Sequence, residues 1–200
     1  LQMNPHFIFN ALNTIKGYYS EGDTIKASSY ISKFSKLLRM LLENTEQAIP
    51  LASEIEMLEL YIDLAKTRYK NKFEYEIIVD DELNRNETAI PTLLLQPIVE
   101  NAIIHGLAPK EQIGLLTVSF LKKDNQLECI IEDNGVGREA SKTSQINKEH
   151  QSKAIEITME RIALFGEKAD QSSFEIIDLK NNSVAAGTKV IITIPLISIW

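Results

Sequence analysis

The chain has 200 residues, 44% of them hydrophobic and 24% charged, and a net charge of -7. That is enough apolar material for one large domain or two small ones with a real core. The acidic balance argues against a nucleic-acid backbone as main partner, which would need a basic surface; a single nucleotide stays open, because backbone N–H groups and a metal ion hold one without net positive charge.

The first seventy residues predict helices. The opening LQMNPHFIFNAL places Asn4 as an N-cap, Pro5 at the first helical position and His6 in the first turn. TIKASSYISKFSKLLRMLLENT carries Ile31, Phe34, Leu38 and Leu41 at helical spacing, widened by Leu37 and Leu42, with Asp23 as N-cap. Pro50 marks a break. LASEIEMLELYIDLAKTRYKNK then sets Ile55, Leu58, Ile62, Ala65 and Tyr69 at alternating steps of three and four, with a second apolar stripe of Met57, Leu60, Tyr61 and Leu64. A helix apolar on more than one side needs cover. A homodimer forming a four-helix bundle is the expectation, and packing on the chain's own second half is the alternative.

Near residue 71 the pattern changes to strands. FEYEIIVD alternates in part, and a polar connector, DELNRNETAIP, follows. LLLQPIVENAIIHG reads as a helix that Pro97 either kinks or starts. LTVSFLKK and QLECIIED alternate as half-buried strands around a KDN turn. A long polar stretch, NGVGREASKTSQINKEHQ, precedes the amphipathic helix SKAIEITMERIALFG, which sets Ile155, Thr158, Ile162 and Phe165 on one face and stops at Gly166. SFEIIDLK and TKVIITIP close the sheet, joined by NNSVAAG. The second half is therefore an α/β sandwich of about five strands and two helices, and the chain as a whole is α+β. The one cysteine, Cys129, alternates with Leu127 and Ile131 and reads as a buried strand position. A lone cysteine suits a reducing cytosol. No apolar run approaches the roughly 18 residues of a membrane helix, and no signal peptide is evident at the start. The chain starts at Leu1 rather than methionine and is read as a piece of a longer protein.

Three stretches carry chemistry. DNGVG, residues 133–137, follows a strand directly: an aspartate there accepts a hydrogen bond from an amine, and glycines let backbone approach a ligand. Asn-Gly also favours a type I′ hairpin, but a long polar segment follows instead of a second strand, as binding loops do. ENAIIHG, residues 100–106, puts Asn101 and His105 on one helical face; taken alone it reads equally as a helix end, His105 meeting the dipole and Gly106 at C′. AAGTKVIITIP opens a strand at Gly187 and Thr188, in itself a turn.

The order of these pieces resembles the ATP-binding module of histidine kinases, gyrase, Hsp90 and MutL, the GHKL or Bergerat fold. That resemblance implies that Asn101 holds Mg²⁺ bridging the ATP phosphates and Asp133 reads the adenine amine. Gly135 and Gly137 shape the loop beside the nucleotide, Thr188 supports the adenine pocket, and His105 lines the phosphate side. MNPHFIFNALNTI together with PTLLLQPIVENAIIHGL is similar, more narrowly, to sensor histidine kinases of the LytS type, over residues 2 to about 195.

The narrower likeness implies that His6 is the phosphoacceptor, that residues 1–70 dimerise and present it, and that residues 71–200 bind ATP. It implies phosphotransfer to the receiver domain of a response regulator. It also implies a place in the cytoplasmic part of a membrane protein, whose membrane segments would lie outside this chain. Many relatives carry Gly-x-Gly before the second helix of the sandwich, whereas this chain has QSKAIEI. Ser152 and Lys153 could offer phosphate a hydroxyl and a charge, but Ser152 and Ala154 stand where glycines are expected. That departure supports a second reading, a catalytically weak nucleotide-binding scaffold, and a third is a GHKL ATPase outside signalling. Arg161, in MERI, matches a recurrent family pattern and reads equally as an exposed helix arginine.

Overall fold

The computed structural model describes residues 5–44, 46–138, 155–163, 172–182 and 184–199. Helix α1 (Pro5–Ser20) ends in a Schellman motif: Asp23 N–H donates to the Tyr18 carbonyl and Gly22 N–H to that of Tyr19, with Gly22 at φ 76° in the left-handed region. Asp23 then caps α2 (Thr24–Glu43), its carboxylate accepting the Lys26 N–H at 3.0 Å. Three residues, Glu21, Gly22 and Asp23, thus end one helix and start the next, and the hairpin is set locally.

The buried face of α2 is Ala27, Tyr30, Phe34, Leu37 and Leu41. The expected stripe is rotated: Leu38 is half-buried, and Ile31 and Leu42 are exposed. Phe7 of α1 packs between Phe34, with ring centroids 5.9 Å apart, and Tyr61, at 5.2 Å.

The short strand β1 (Ala48–Pro50) leads into α3 (Leu51–Arg68), whose N-cap is Pro50. Both stripes of α3 are covered: Ile55, Leu58, Ile62 and Ala65 are buried, and so are Met57, Tyr61 and Leu64. This corrects the argument for a dimer through α3. Burial worth roughly 1.5–3 kcal/mol per large side chain is already realised inside one chain, because α3 packs on α1, α2 and the sandwich at once. Exposed apolar side chains lie instead on α1 (Phe9, Leu12, Tyr19) and α2 (Ile25, Ile31, Leu42).

The main sheet has the order β2-β4-β5-β7-β6. β2 (Phe73–Val79) runs parallel to β4 (Gly114–Lys123), and β5 (Gln126–Asp133), β7 (Val184–Pro195) and β6 (Ser173–Asn181) follow antiparallel. One face is core: Leu116, Val118 and Phe120 of β4, Leu127, Cys129 and Ile131 of β5, and Val190, Ile192 and Ile194 of β7. The other face is wetter, and there Lys189 pairs with its cross-strand neighbour Glu132 at 3.3 Å.

Three strands too short for a periodic signal form a second sheet. β3 (Thr88–Pro91), inside the expected connector, pairs with β1 and with β8 (Ile197–Ser198). β1 and β3 lie on either side of residue 71, and one continuous core runs from Phe7 to Ile194.

The apolar face of the sheet is covered by α4 (Gln96–Asn101), which starts with Pro97 in its first turn and continues as a π-helical turn over Ala102–Leu107. Helix α5, residues 155–163, has Thr158 and Ile162 buried. Phe165 and Gly166 lie outside the described residues.

Candidate nucleotide site

Asp133 ends β5, and the β5–β7 register sets it opposite Thr188. The Asp133 Oδ1 accepts the Gly135 N–H at 2.8 Å, and the Thr188 N–H also points at the carboxylate. Burial pushes the Asp133 carboxyl up to about 6, and those two backbone donors and Lys110 only partly offset it. An almost fully buried carboxylate held this way has acceptor capacity left for a ligand amine.

The backbone around it explains the glycines. A Cβ on Gly135 would overlap the Gly106 carbonyl, and one on Gly106 would come within 2.7 Å of the Asp133 Oδ1. Gly187, at φ 135°, passes so close to the Asp133 carbonyl that no side chain fits. The end of β5 therefore nests against the end of the π turn, an approach fixed by the Val136 N–H donating to the Gly106 carbonyl at 3.0 Å. Positive φ occurs at Gly137 but not at Asn134 or Gly135, so Asn-Gly is not a type I′ turn. Asn134 instead ties down the start of β4, its Oδ1 accepting the Leu115 N–H at 2.8 Å and the Lys110 ammonium at 3.0 Å.

A cleft opens beside Asp133, and apolar walls with a few convergent polar groups are the make-up of a small-molecule site. Asn101, His105, Gly137 and Thr188 line it together with Asp133, and Ile98, Ile131, Ile155, Ile176 and Val190 supply apolar walls. One end can accept from an amine, the walls can take a flat apolar ring, and an amide and an imidazole stand on the helical side. The π turn keeps His105 at the cleft although it departs from α-helical spacing, as such turns often do at functional sites. Gly135 contributes through packing rather than lining.

Sequence reasoning missed Arg138. It also lines the cleft, and its guanidinium forms a two-point pair with Asp178 of β6, Nε to Oδ1 at 2.6 Å and Nη2 to Oδ2 at 2.8 Å. Its position next after DNGVG was the only available signal. His6 lies in the first turn of α1, but its side chain is outside the described part, and Ser152 and Lys153 are outside the described residues altogether. Arg161 is not an exposed helix arginine: it is half-buried and faces the buried Glu54. Among the described residues no three His, Cys, Asp or Glu side chains cluster as metal ligands. Asn101, which lines the cleft, carries an amide oxygen, a hard donor of the kind a small divalent cation takes.

Residues 1–73 match the family model described as Histidine kinase. The chain is 32% identical to the sensor protein LytS of Bacillus subtilis (strain 168) over 203 residues, which covers 98% of this chain and 32% of the relative. It is 37% identical to the sensor histidine kinase BtsS of Escherichia coli (strain K12) over 133 residues, covering 66% of this chain and 23% of that protein. The chain thus spans a quarter to a third of the length of these relatives. Among solved structures, the histidine kinase domain of a blue-light activated histidine kinase from Erythrobacter litoralis EL346 superposes with a TM-score of 0.52 at 16% identity, covering 92% of this chain and 83% of that one.

Proposed function

Because the chain belongs to the histidine kinase family, we propose that it is the kinase core of a two-component sensor, which uses ATP to phosphorylate its own His6 and passes the phosphoryl group to an aspartate on a response-regulator receiver domain. The observation that carries this reading is the cleft in which Asn101, His105, Asp133 and Thr188 converge around apolar walls. The Asp133 carboxylate accepts the adenine amine, Ile131, Ile176 and Val190 flank the ring, and His105 stands on the phosphate side. Thr188 presents its N–H to Asp133 and so fixes the carboxylate that reads the base. Mg²⁺ supplies charge neutralisation across the phosphates, and Asn101 is this chain's ligand to it. Ser152 and Lys153 serve as further phosphate contacts.

The acceptor chemistry follows from imidazole. Neutral near pH 7, it offers a ring-nitrogen lone pair without a strong base. Its nitrogen forms a bond to the γ-phosphorus while the bond to the β,γ-bridging oxygen breaks, and ADP leaves. The start of α1 and the helix carrying Asn101 are neighbours: Phe7, next to His6, and Ile104, next to His105, line one small void. Residues 1–70 present the histidine and residues 71–200 hold the nucleotide. The working form is a homodimer, for which the exposed apolar side chains of α1 and α2 supply the surface. The chain acts as the cytoplasmic part of a longer membrane sensor. No described helix of its own is long and apolar enough to cross a membrane.

Incubation with Mg²⁺ and γ-labelled ATP tests the reading. Label is expected on the wild type, none on His6→Ala and little on Asp133→Asn. Bound ATP with no label on the wild type would favour a nucleotide-binding scaffold, which the missing glycines at 152 and 154 motivate. Hydrolysis undiminished in His6→Ala, with no phosphoprotein, would favour an ATPase outside signalling.

A further inference from the structure

Glu54 is a carboxylate almost without solvent, 1% exposed. It sits in the first turn of α3 and reaches the segment that begins α4: the Leu93 N–H donates to Oε2 at 2.9 Å and the Leu95 N–H to Oε1 at 3.4 Å. Leu95 is the N-cap of α4, and a leucine has no capping oxygen. Leu93 stands at φ 59°, a left-handed conformation uncommon for leucine. The helix that carries Asn101 is therefore started by a carboxylate from a different helix. From the other side Arg161 of α5 faces Glu54, its Nη1 buried and without a hydrogen-bond partner among the described residues. Helix α5 also contributes Ile155 to the cleft wall.

Seven residues beyond Glu54, two turns or about 10.5 Å along the same face of α3, Tyr61 packs on Phe7, the residue after the acceptor histidine. One helix thus touches both the start of α1 and the start of α4.

We propose that Glu54 is a positioning residue: by holding the Leu93 and Leu95 amides from α3, it fixes the axis of α4 and so sets Asn101 at the phosphate end of the cleft, linking that end of the site to the helix packed on α1. The proposal rests on the nucleotide reading of the cleft and extends it. Asn101 acts on the phosphates and Asp133 on the base, so the effect of Glu54 falls on one end of the ligand. An amide at position 54 keeps the size but turns a donor toward the backbone N–H groups that the carboxylate accepts from.

The test is calorimetric binding of Mg-ATP and of adenosine to wild type and Glu54→Gln. Mg-ATP weakens about tenfold in the variant, the size of one hydrogen bond to a charged group, and adenosine affinity is unchanged. Equal losses for both ligands, or no loss for either, overturn the proposal. If the wild type binds neither ligand, the nucleotide reading has failed on its own. Glu54 is then judged by hydrogen exchange: the Leu93 and Leu95 amides exchange about tenfold faster in Glu54→Gln while that of Ile131 is unchanged, and unaltered rates at 93 and 95 overturn the role. Should Glu54→Gln not fold, the wild type decides. Mg-ATP slows exchange at Leu93 and Leu95 and adenosine does not, whereas an absent response to Mg-ATP overturns the link.

Discussion

If Asp133 reads an amine as a carboxylate, nucleotide affinity must follow its ionisation. Burial raises its pKa from 3.8 to about 6. At pH 7.5 about 97% of the group is ionised and at pH 5 about 9%, so wild-type affinity falls about tenfold over that interval, about 1.4 kcal/mol. Asp133→Asn removes the titration. The amide oxygen keeps the Gly135 and Thr188 N–H donors and the N–H₂ then faces the ligand amine, which costs binding about 1–3 kcal/mol at pH 7.5.

Stability moves the other way. A carboxyl whose pKa rises on folding holds its proton more tightly when folded. It therefore favours folding below about pH 3.8 and loses that advantage as pH rises through about 6, a difference of about 3 kcal/mol. At neutral pH the asparagine variant escapes this cost and should melt no lower than wild type. The assay is titration of an ATP analogue into both proteins from pH 5 to 7.5, read as the ratio of their dissociation constants, in which the ligand's own ionisation cancels. A ratio that does not change with pH would refute the role given to Asp133.

Gly187→Ala should unfold the chain or cost more than about 3 kcal/mol, because its Cβ has no room beside the Asp133 carbonyl. Gly17→Ala, in the interior of α1 with open space around it, should gain about 0.5–1 kcal/mol; thermal melts compare the two. Glu54, raised by burial from 4.5 to about 7, should make the wild type lose about 3 kcal/mol of stability as pH rises from 4.5 to 7, and denaturant titrations of Glu54→Gln should lack that slope. Burial pushes the Cys129 thiol well up, so a thiol reagent should leave the native chain unmodified and react fully only in denaturant.

What the sequence made legible was local. The Asp23 cap, the strand alternation and the position of DNGVG each depend on a few neighbouring residues, and all are found; Pro97 left a kink and a helix start open, and the structure has the start. What it hid depends on distant partners. Glu54 stands in LASEIEMLEL beside Glu56 and Glu59, and nothing in that pattern tells a buried carboxylate from solvated ones. Arg161 looked like an ordinary surface cation because its partner lies over a hundred residues away. β1, β3 and β8 are two to four residues long and show no period. The second stripe of α3 was read as an interface because periodicity reports that a face is apolar, not what covers it. Asn101, His105, Asp133 and Thr188 could be gathered into one site only through the resemblance, since they span almost ninety residues and no spacing rule unites them.

The proposed kinase activity requires a nucleotide in the cleft between Asn101 and Asp133. A crystal grown with Mg²⁺ and a non-hydrolysable ATP analogue should place the base against Asp133 and the phosphates toward Asn101. Nucleotide density anywhere else on the chain, with that cleft closed by its own side chains, would contradict it.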